Sequence, residues 1–533
     1  MKKLSNYEHL QANANKGILT SMFQLYLNEA NKESKDSSQE KLLFDKCYEY
    51  LDSIEDKPVN HFFLQKLELY NFRKFETLHI DFHKNLTVLI GGNGEGKSSI
   101  IDAITKTLSW IGNGILKEGD NGRPITYDDI KNDCTTGAEI ISFFKLGKTE
   151  VNGNISRSIE GATTKKNSQV ADLKNIANIY RVINNISEIN LPLLCSYPVE
   201  RTRLSIKASN KNKNIDLVSL SKFDIYKNSL DGSISLNDFS SIFISIYNKS
   251  QSEIIEKVES IIKELSMLKS IDNDDAVLKQ FIKLKEVELR NISAHHNFEL
   301  YKKYNFFLDT IKKSLVNSFL NIKDITVNDS SGKDQVYFNF EDGNIVNFNQ
   351  LSHGQKLAIS LIGDICIKLL FLNPKLKNPL NGQGIVLIDE LELHLHPQWQ
   401  QKILLTLQQS FPNIQFIVST HSPQILSTVD KLSIRKLANS SISTPIYQTQ
   451  GVMSSEILEQ IMETSSVPEI QISKDFERYL SLIEQDLHEE REGKALEEKL
   501  YTHFGENHPI VKEYQSQIKL LELKKKIANR DKN

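Results

Sequence analysis

Gly91-Gly92-Asn93-Gly94-Glu95-Gly96-Lys97-Ser98 fits the phosphate-loop pattern G-x-x-x-x-G-K-[ST] without a mismatch. Its flanks fit as well. Leu86-Thr-Val-Leu-Ile90 is a short, β-rich apolar run and reads as a buried strand. Ser99 to Trp110 carries apolar residues at helical spacing. Strand, glycine loop and helix, in that order, are what the motif requires. The glycines let backbone N–H groups curl around phosphates free of Cβ atoms, and the helix N-terminus that follows favours negative charge. In this reading Gly91 to Ser99 cradle the phosphates of ATP, Lys97 reaches the β- and γ-phosphates, and the Ser98 hydroxyl holds Mg²⁺. A glycine-rich turn with a chance lysine is the bland alternative; agreeing flanks and partner segments downstream argue against it.

Length and composition set the frame. At 533 residues the chain exceeds one ordinary domain. Hydrophobic content of 39% and charged content of 25% are those of a globular protein. A net charge of −3 gives no overall attraction to nucleic acid, which leaves only local basic patches for such a role. Cys47, Cys134, Cys195 and Cys366 are scattered, with no C-x-x-C pair, and suggest a reducing compartment without a disulfide framework. The N-terminus has no apolar signal-like run, and no stretch approaches the roughly 20 apolar residues that span a bilayer. A soluble cytoplasmic protein with no membrane partner is the simplest expectation.

The remaining segments order themselves around the loop. Residues 1–58 read as a helical extension, with apolar helical spacing in Leu19 to Leu27 and Lys41 to Ile54; they form either a cap on the main domain or a docking module. Phe62 to Leu69 predicts an edge strand, followed by Asn71-Phe-Arg-Lys-Phe75 and a second strand into the phosphate-loop strand. Arg73 is either a phosphate contact or a solvated strand-end cation. Ala138 to Leu146 predicts a strand, residues 147–169 a mobile polar hairpin, and Leu191 to Tyr197 a return to the core sheet. Lys207, Lys211 and Lys213 lie in a Lys/Asn-rich loop that either contacts nucleic acid or is merely solvated. Residues 215–320 read as a helical insertion too interrupted for a long coiled coil. The sheet is then expected to resume with a hairpin over 325–340.

Leu351-Ser-His-Gly-Gln355 precedes a long apolar helix. Ser352 is a natural N-cap, and Gly354 allows close backbone approach. Gly384-Ile-Val-Leu-Ile388 is an apolar strand ending in Asp389 and Glu390. An acid there, Asp389, suits the Mg²⁺ shell, and the next, Glu390, suits activation of the attacking water. Glu392, His394 and His396 are close in sequence, but nothing completes a convincing zinc site. Asn413 to Ser419 is another buried strand, ending in Thr420-His421-Ser422-Pro423. His421 at such a tip can hydrogen-bond the γ-phosphate.

Taken together, Asn71-Phe-Arg-Lys-Phe75, Leu351-Ser-His-Gly-Gln355, Ile388-Asp-Glu-Leu-Glu-Leu-His-Leu-His-Pro397 and Ser419-Thr-His-Ser-Pro423 resemble the ABC-type ATPase heads of the structural-maintenance-of-chromosomes (SMC) and overcoming-lysogenization-defect group. The chain is most similar to the PtuA family, the ATPases of Septu anti-phage systems, including those associated with retrons. The implied fold class is α/β: a P-loop NTPase head, its mixed sheet flanked by helices, with a helical insertion and helical N- and C-terminal regions. The implied boundaries are 1–58, 59–214 (head, with the P-loop), 215–320 (insertion), 321–449 (head, with signature, Walker B and histidine) and 450–533.

The resemblance implies ATP and Mg²⁺, and an ATPase whose turnover is slow. Glu390 and His421 carry the chemistry. Arg73, Gly91 to Ser99, Ser352, Gly354 and Gln355 bind nucleotide, and Ser98, Asp389 and Asp129 face the metal. Asp129 stands where related heads place a metal-sensing glutamine, and His353 replaces the first glycine of the usual L-S-G-G-Q signature. Because one head's signature completes the other's site, a head-to-tail homodimer, or a larger assembly built on it, is implied. So are an HNH nuclease partner of the PtuB type and, in the retron form, a reverse transcriptase with its msDNA. No D-x-D motif stands in a strand-rich context after residue 450, so the chain is expected to cut nothing itself. The alternative is a DNA-repair or chromosome-type ATPase that grips DNA directly.

Overall fold

The computed structural model describes residues 6–32, 37–53, 61–161, 166–199, 221–231, 236–251, 253–269, 276–293, 296–329 and 333–530. The basic loop with Lys207, Lys211 and Lys213 lies outside them. The chain forms two compact units, Met1–Ser454 and Ser455–Asn533.

The first unit opens with three helices, α1 (Asn6–Asn15), α2 (Leu19–Ala30) and α3 (Ser37–Ser53). Leu19, Met22, Phe23 and Tyr26 of α2 turn inward at helical spacing, against Leu43, Cys47 and Leu51 among the buried residues. The first helix has no comparable apolar stripe, which is why the sequence pattern singles out only the other two. Strands β1 (Phe63–Phe72) and β2 (Phe75–Asp81) form a hairpin that leads into β3 (Leu86–Gly91), the phosphate-loop strand, and α4 (Lys97–Leu116). β4 (Gly137–Leu146) and β5 (Thr149–Ser158) follow as a second hairpin. These four strands make an antiparallel sheet in the order β2-β1-β4-β5. β1 is therefore central and not the expected edge strand, because β4 pairs along its open side from Phe63 to Tyr70. The polar stretch after Gly147 is likewise held: β5 pairs with β4 along its whole length.

α5 (Ala171–Ile186) packs on α4 and β5 through Leu173, Ile176, Ala177, Tyr180 and Ile183. β6 (Leu193–Tyr197) then enters a second sheet. The insertion supplies α6 (Leu236–Ser250), α7 (Glu253–Lys269), α8 (Ala276–Ser293) and α9 (His296–Val316). A meander of β7 (Ile322–Asp329), β8 (Asp334–Phe340) and β9 (Ile345–Asn347) forms a separate three-stranded sheet. The expected hairpin exists, but it does not rejoin the core. α10 (His353–Leu372), on which α6 and α9 pack, leads through β10 (Gly384–Ile388), α11 (Pro397–Ser410), β11 (Ile414–Ser419) and the single turn α12 (Pro423–Leu426) to β12 (Ile434–Ala438) and β13 (Ser441–Ser443).

The second sheet has the order β13-β12-β3-β11-β10-β6. Five of its strands are parallel, and only β13 runs antiparallel. β3, β6, β10 and β11 are buried almost throughout, as parallel strands covered on both faces must be.

A buried side chain helps to join the two larger sheets. Gln415 of β11, buried, accepts from Leu64 N–H at 2.8 Å and donates to the carbonyls of Leu64 and His83 at 2.9 and 3.0 Å. Nearby, Phe62 N–H donates to Gln383 Oε1 at 2.7 Å.

The second unit contains α13 (Ser454–Gln460), α14 (Gln471–Glu484), α15 (Arg491–Phe504) and α16 (Pro509–Arg530). Its core is Tyr479, Ile483, Leu500, Val511 and Tyr514, with the two tyrosine rings edge to face at 5.1 Å. Among the described residues, no helix of the chain is long and apolar enough to cross a membrane.

Replacing Gln415 by leucine keeps the volume but orphans one N–H and two carbonyls at the sheet junction. We expect a loss of about 2–4 kcal/mol in chemical denaturation. A loss below about 0.5 kcal/mol would mean that the amide does not tie the sheets together.

Candidate nucleotide site

The site lies where parallel strands end, as ligand sites of open α/β sheets do. β3, β11 and β10 are consecutive neighbours in the sheet, and each runs straight into a functional segment: the phosphate loop, Thr420-His421, and Asp389-Glu390.

Gly96 is the N-cap of α4 and adopts φ +98°, which a glycine holds without penalty. A Cβ there would lie 2.4 Å from Cζ of Phe75, so the loop can seat on that ring only with glycine at this place. Lys97 is buried, and its ammonium donates to the carbonyls of Gly91 and Gly92 at 2.8 and 3.0 Å. Burial lowers its pKa, while Asp389, Glu390, Glu392 and Glu95 act to raise it. A buried cation hydrogen-bonded, among the described residues, to loop carbonyls alone, at the start of a helix with free N–H groups, fits a phosphate chain.

The β1–β2 hairpin straddles this loop. Pairing runs to Phe72 and Phe75, so Arg73 and Lys74 form a two-residue tip. Lys74 donates to the carbonyl of Gly94 at 2.9 Å and pairs with Glu95 at 3.0 Å. The Lys74 bond is the main cause that holds Glu95 below its usual carboxylate range.

Arg73, with φ +51°, turns the other way. Its guanidinium donates to Asp102 at 2.7 Å and to Asp129 at 3.0 and 3.1 Å, and its backbone N–H donates to the Asp129 carbonyl at 2.7 Å. Asp129 also accepts from Thr126 N–H and Oγ1, at 2.9 and 2.8 Å, and pairs with Lys106 at 3.0 Å. Burial pushes its pKa up, but the Thr126 and Lys106 bonds outweigh that, and the carboxyl lies below its usual range. Both its oxygens are engaged. The metal-facing role expected of Asp129 is therefore not what this arrangement displays: the residue is the hub of an ion-pair network. Arg73 is neither a solvated strand end nor pointed into open space; it is shared between two carboxylates.

At the strand tips one hydroxyl does the joining. Ser419 Oγ accepts from Glu390 N–H at 2.8 Å and donates to Asp389 Oδ1. Asp389 is buried, and its N–H donates to the Tyr197 carbonyl at 2.9 Å. Glu390 has φ +47°, an unfavourable region for a non-glycine residue that such functional turns retain when their surroundings enforce it. Glu392 accepts from Thr420 Oγ1 at 2.7 Å and from His421 N–H at 2.5 Å, which fixes the histidine turn to the Walker B turn.

Ser352 caps α10 as expected. Its Oγ accepts from Gln355 N–H at 3.2 Å while Gln355 Oε1 accepts from Ser352 N–H at 2.9 Å, a reciprocal capping box. A Cβ on Gly354 would lie 2.4 Å from the His394 carbonyl, and the His353 ring meets that of His394 edge-on at 4.6 Å. Burial first, then His394 and Lys356, lower the His353 pKa. Among the described residues, no hydrogen bond or ion pair joins Ser352, Gly354 or Gln355 to Gly91–Ser98.

The arrangement thus brings together the phosphate loop, Asp389, Glu390 and His421, and leaves the signature segment apart from them. Among the described residues no three His, Cys, Asp or Glu side chains form a metal cluster. Glu392, His394 and His396 are engaged instead with the histidine turn, with His353 and with the N-terminus of α11, where His396 Nδ1 accepts from Gln398 N–H at 3.3 Å. Ser98 and Asp389 would offer two oxygen ligands, which would suit Mg²⁺, an ion that keeps several of its waters. Sequence reasoning passed over Lys74, Asp102, Lys106 and Ser419, and weighed Glu392 only against a zinc site and as part of the turn after Walker B. Lys74 is adjacent to Arg73, and Ser419 opens Ser419-Thr-His-Ser-Pro423, so both carry a usable signal; Asp102 and Lys106 look like ordinary helix-face charges.

The family described as "AAA ATPase domain" matches residues 63–426. The "Retron Vc95 probable ATPase" of Vibrio cholerae serotype O1 biovar El Tor is 30% identical over 466 residues, which are 83% of this chain and 87% of that protein. The "Retron Ec83 probable ATPase" of Escherichia coli is 29% identical over 539 residues, 94% of each chain. The "Septu protein PtuA" of Bacillus mycoides (strain KBAB4) is 23% identical over 409 residues, 75% of this chain and 43% of that protein. The match over residues 63–426, together with the retron relatives, assigns the chain to the AAA ATPase domain family, beside the retron ATPases.

Proposed function

We propose that this ATPase is the nucleotide-driven switch of an anti-phage defence system, a head-to-tail homodimer that restrains or releases an HNH nuclease partner. The observation that carries the reading is the split of its functional segments. The phosphate loop, Walker B and the histidine turn converge on three neighbouring strand ends, while the capped N-terminus of α10 is built and left unspent by the same chain. A second copy facing head to tail would bring Ser352, Gly354 and the N–H groups of α10 onto the phosphates cradled by the first. Nucleotide would then be the adhesive, and hydrolysis would weaken it.

Within one site the residues divide the work. Lys97 exchanges two loop carbonyls for phosphate oxygens. Ser98 and Asp389 would hold Mg²⁺, which offsets charge on the phosphates when bound. Glu390, aimed by its left-handed backbone and by Ser419, polarises the attacking water. His421, fixed through its N–H to Glu392, faces the terminal phosphate. For the nuclease partner, the second unit offers α16, where Leu520, Leu523 and Ile527 lie exposed at helical spacing beside Lys524, Lys525 and Lys526. A reverse transcriptase and msDNA complete the assembly if this chain serves a retron. The chain's own contribution is ATP turnover, slow because the signature carries His353, without nucleolytic chemistry.

Lys97→Ala is expected to abolish nucleotide binding by calorimetry. Glu390→Gln should keep ATP affinity and slow turnover by roughly 10²–10⁴-fold; unchanged turnover would remove Glu390 from the base role. Light scattering on Glu390→Gln should show the mass double with ATP and Mg²⁺ and stay single with ADP. A further Ser352→Arg change should block that doubling while leaving the protein folded. A mass indifferent to ATP would end the dimer reading, and co-expression without capture of an HNH protein encoded beside this chain would end the nuclease reading.

A further inference from the structure

Four charges form a network against α4: Arg73 and Lys106 with Asp102 and Asp129. α4 places three of the relevant residues on one face, since Ser98, Asp102 and Lys106 follow each other at intervals of four. The network has two unlike halves. Lys106 and Asp129 are its buried half, with side chains 9% and 3% exposed and 3.0 Å apart. Arg73 and Asp102 are its open half, 35% and 30% exposed and 2.7 Å apart. Arg73 also reaches Asp129 at 3.0 Å, and Lys106 lies 3.6 Å from Asp102.

The asymmetry decides which cation can move. Asp129 is so enclosed that it must keep a counter-charge, because an unpaired buried carboxylate is strongly unfavourable. If Arg73 were its sole cation, Arg73 could not leave. Lys106 is a second, itself buried and further held by the Pro124 carbonyl at 3.4 Å. Asp102, by contrast, is wet enough to stand alone, and it lies one helical turn beyond Ser98. Arg73 is thus tethered at the phosphate end of α4 by a partner that can release it.

We propose that Lys106 and Asp102 are positioning residues of the ATPase site: Lys106 is the resident counter-ion of Asp129 and so frees Arg73 for the terminal phosphate of ATP, and Asp102 parks Arg73 beside Ser98 until that phosphate arrives. The proposal rests on the reading of Arg73 as a phosphate contact. It makes the network a γ-phosphate sensor in which one cation exchanges a carboxylate for the phosphate while the other stays.

The test compares binding of ATP and ADP, each with Mg²⁺, to the full chain by calorimetry, with thermal melting recorded alongside. Arg73→Ala tests the underlying reading: it should lower ATP affinity roughly tenfold or more, as loss of a charge-assisted hydrogen bond does, and leave ADP affinity unchanged. Lys106→Met should reproduce that loss of preference with Arg73 intact, because Asp129 now retains Arg73. Lys106→Arg should behave as the native chain. The double change Lys106→Met with Asp129→Asn should recover the preference for ATP, since a neutral amide needs no counter-ion; it also keeps the test decisive if Lys106→Met alone does not fold. Loss of preference in Arg73→Ala but not in Lys106→Met, or a double variant that stays indifferent to the γ-phosphate, would overturn the proposal and spare the arginine reading. An unchanged preference in Arg73→Ala would overturn both.

Discussion

The height of the site is set by one row of backbone pairing. Val88, Val418, Ile388 and Tyr197 lie side by side across β3, β11, β10 and β6, all nearly or fully buried. In a parallel sheet that row fixes where each strand ends relative to its neighbours. The phosphate loop, the Ser419 hydroxyl and Asp389 therefore emerge at one level, within reach of one another, without any loop having to find its place. A slip of one residue would exchange the two covered faces of a strand, and the close packing on each face, not an apolar–polar alternation, opposes it. Hydrogen bonding then refines what register begins: Ser419 joins Asp389 to Glu390, and Glu392 joins the Walker B turn to His421.

The same level collects charge. Asp389, Glu390, Glu392 and Glu95 all act on Lys97, so the phosphate end holds more carboxylates than free cations. Each cation near it already has an internal partner: Lys97 its loop carbonyls, Lys74 Glu95, and Arg73 Asp102 and Asp129. A phosphate chain bound there would compete for partners. On the reading proposed above, such an exchange would touch the loop, the hairpin tip and α4 together, because each of those bonds belongs to a different element.

How much of this could be read beforehand follows from the range of the interactions. The phosphate loop, the capped helix at Ser352 and the acid-tipped strand at Asp389 were legible because each is local: a few adjacent residues specify a turn, a cap or a strand end. The antiparallel neighbour of β1 was not, since nothing in Phe62 to Leu69 reveals that Gly137–Leu146 will pair along it. Nor was the separation of the β7–β9 meander, whose alternation looks the same inside or outside a core sheet. α5, with a clear apolar stripe over Leu173 to Ile183, was readable and was overlooked beside polar flanks. The ion-pair hub at Asp129 depends on Arg73, Asp102 and Lys106, contributed by a hairpin tip and a helix; sequence placed Asp129 in the position of a metal-sensing glutamine and could not show that its oxygens are engaged by these groups.

The signature helix shows how a departure from the common pattern can be accommodated without loss of form. Ser352 and Gln355 spend their side chains on the capping box, so the helix start is held whatever residue lies between. His353 fills the place of a glycine and packs edge-on against His394 of the Walker B turn, while Gly354 keeps the closeness that the His394 carbonyl demands. The substitution therefore adds a contact between the turn that follows Asp389 and Glu390 and the N-terminus of α10. In a head-to-tail pair, a shift of the Walker B turn at one site would reach the signature of the same chain through two imidazoles, and so reach the other site. Glycine at position 353 would leave that link to the backbone alone.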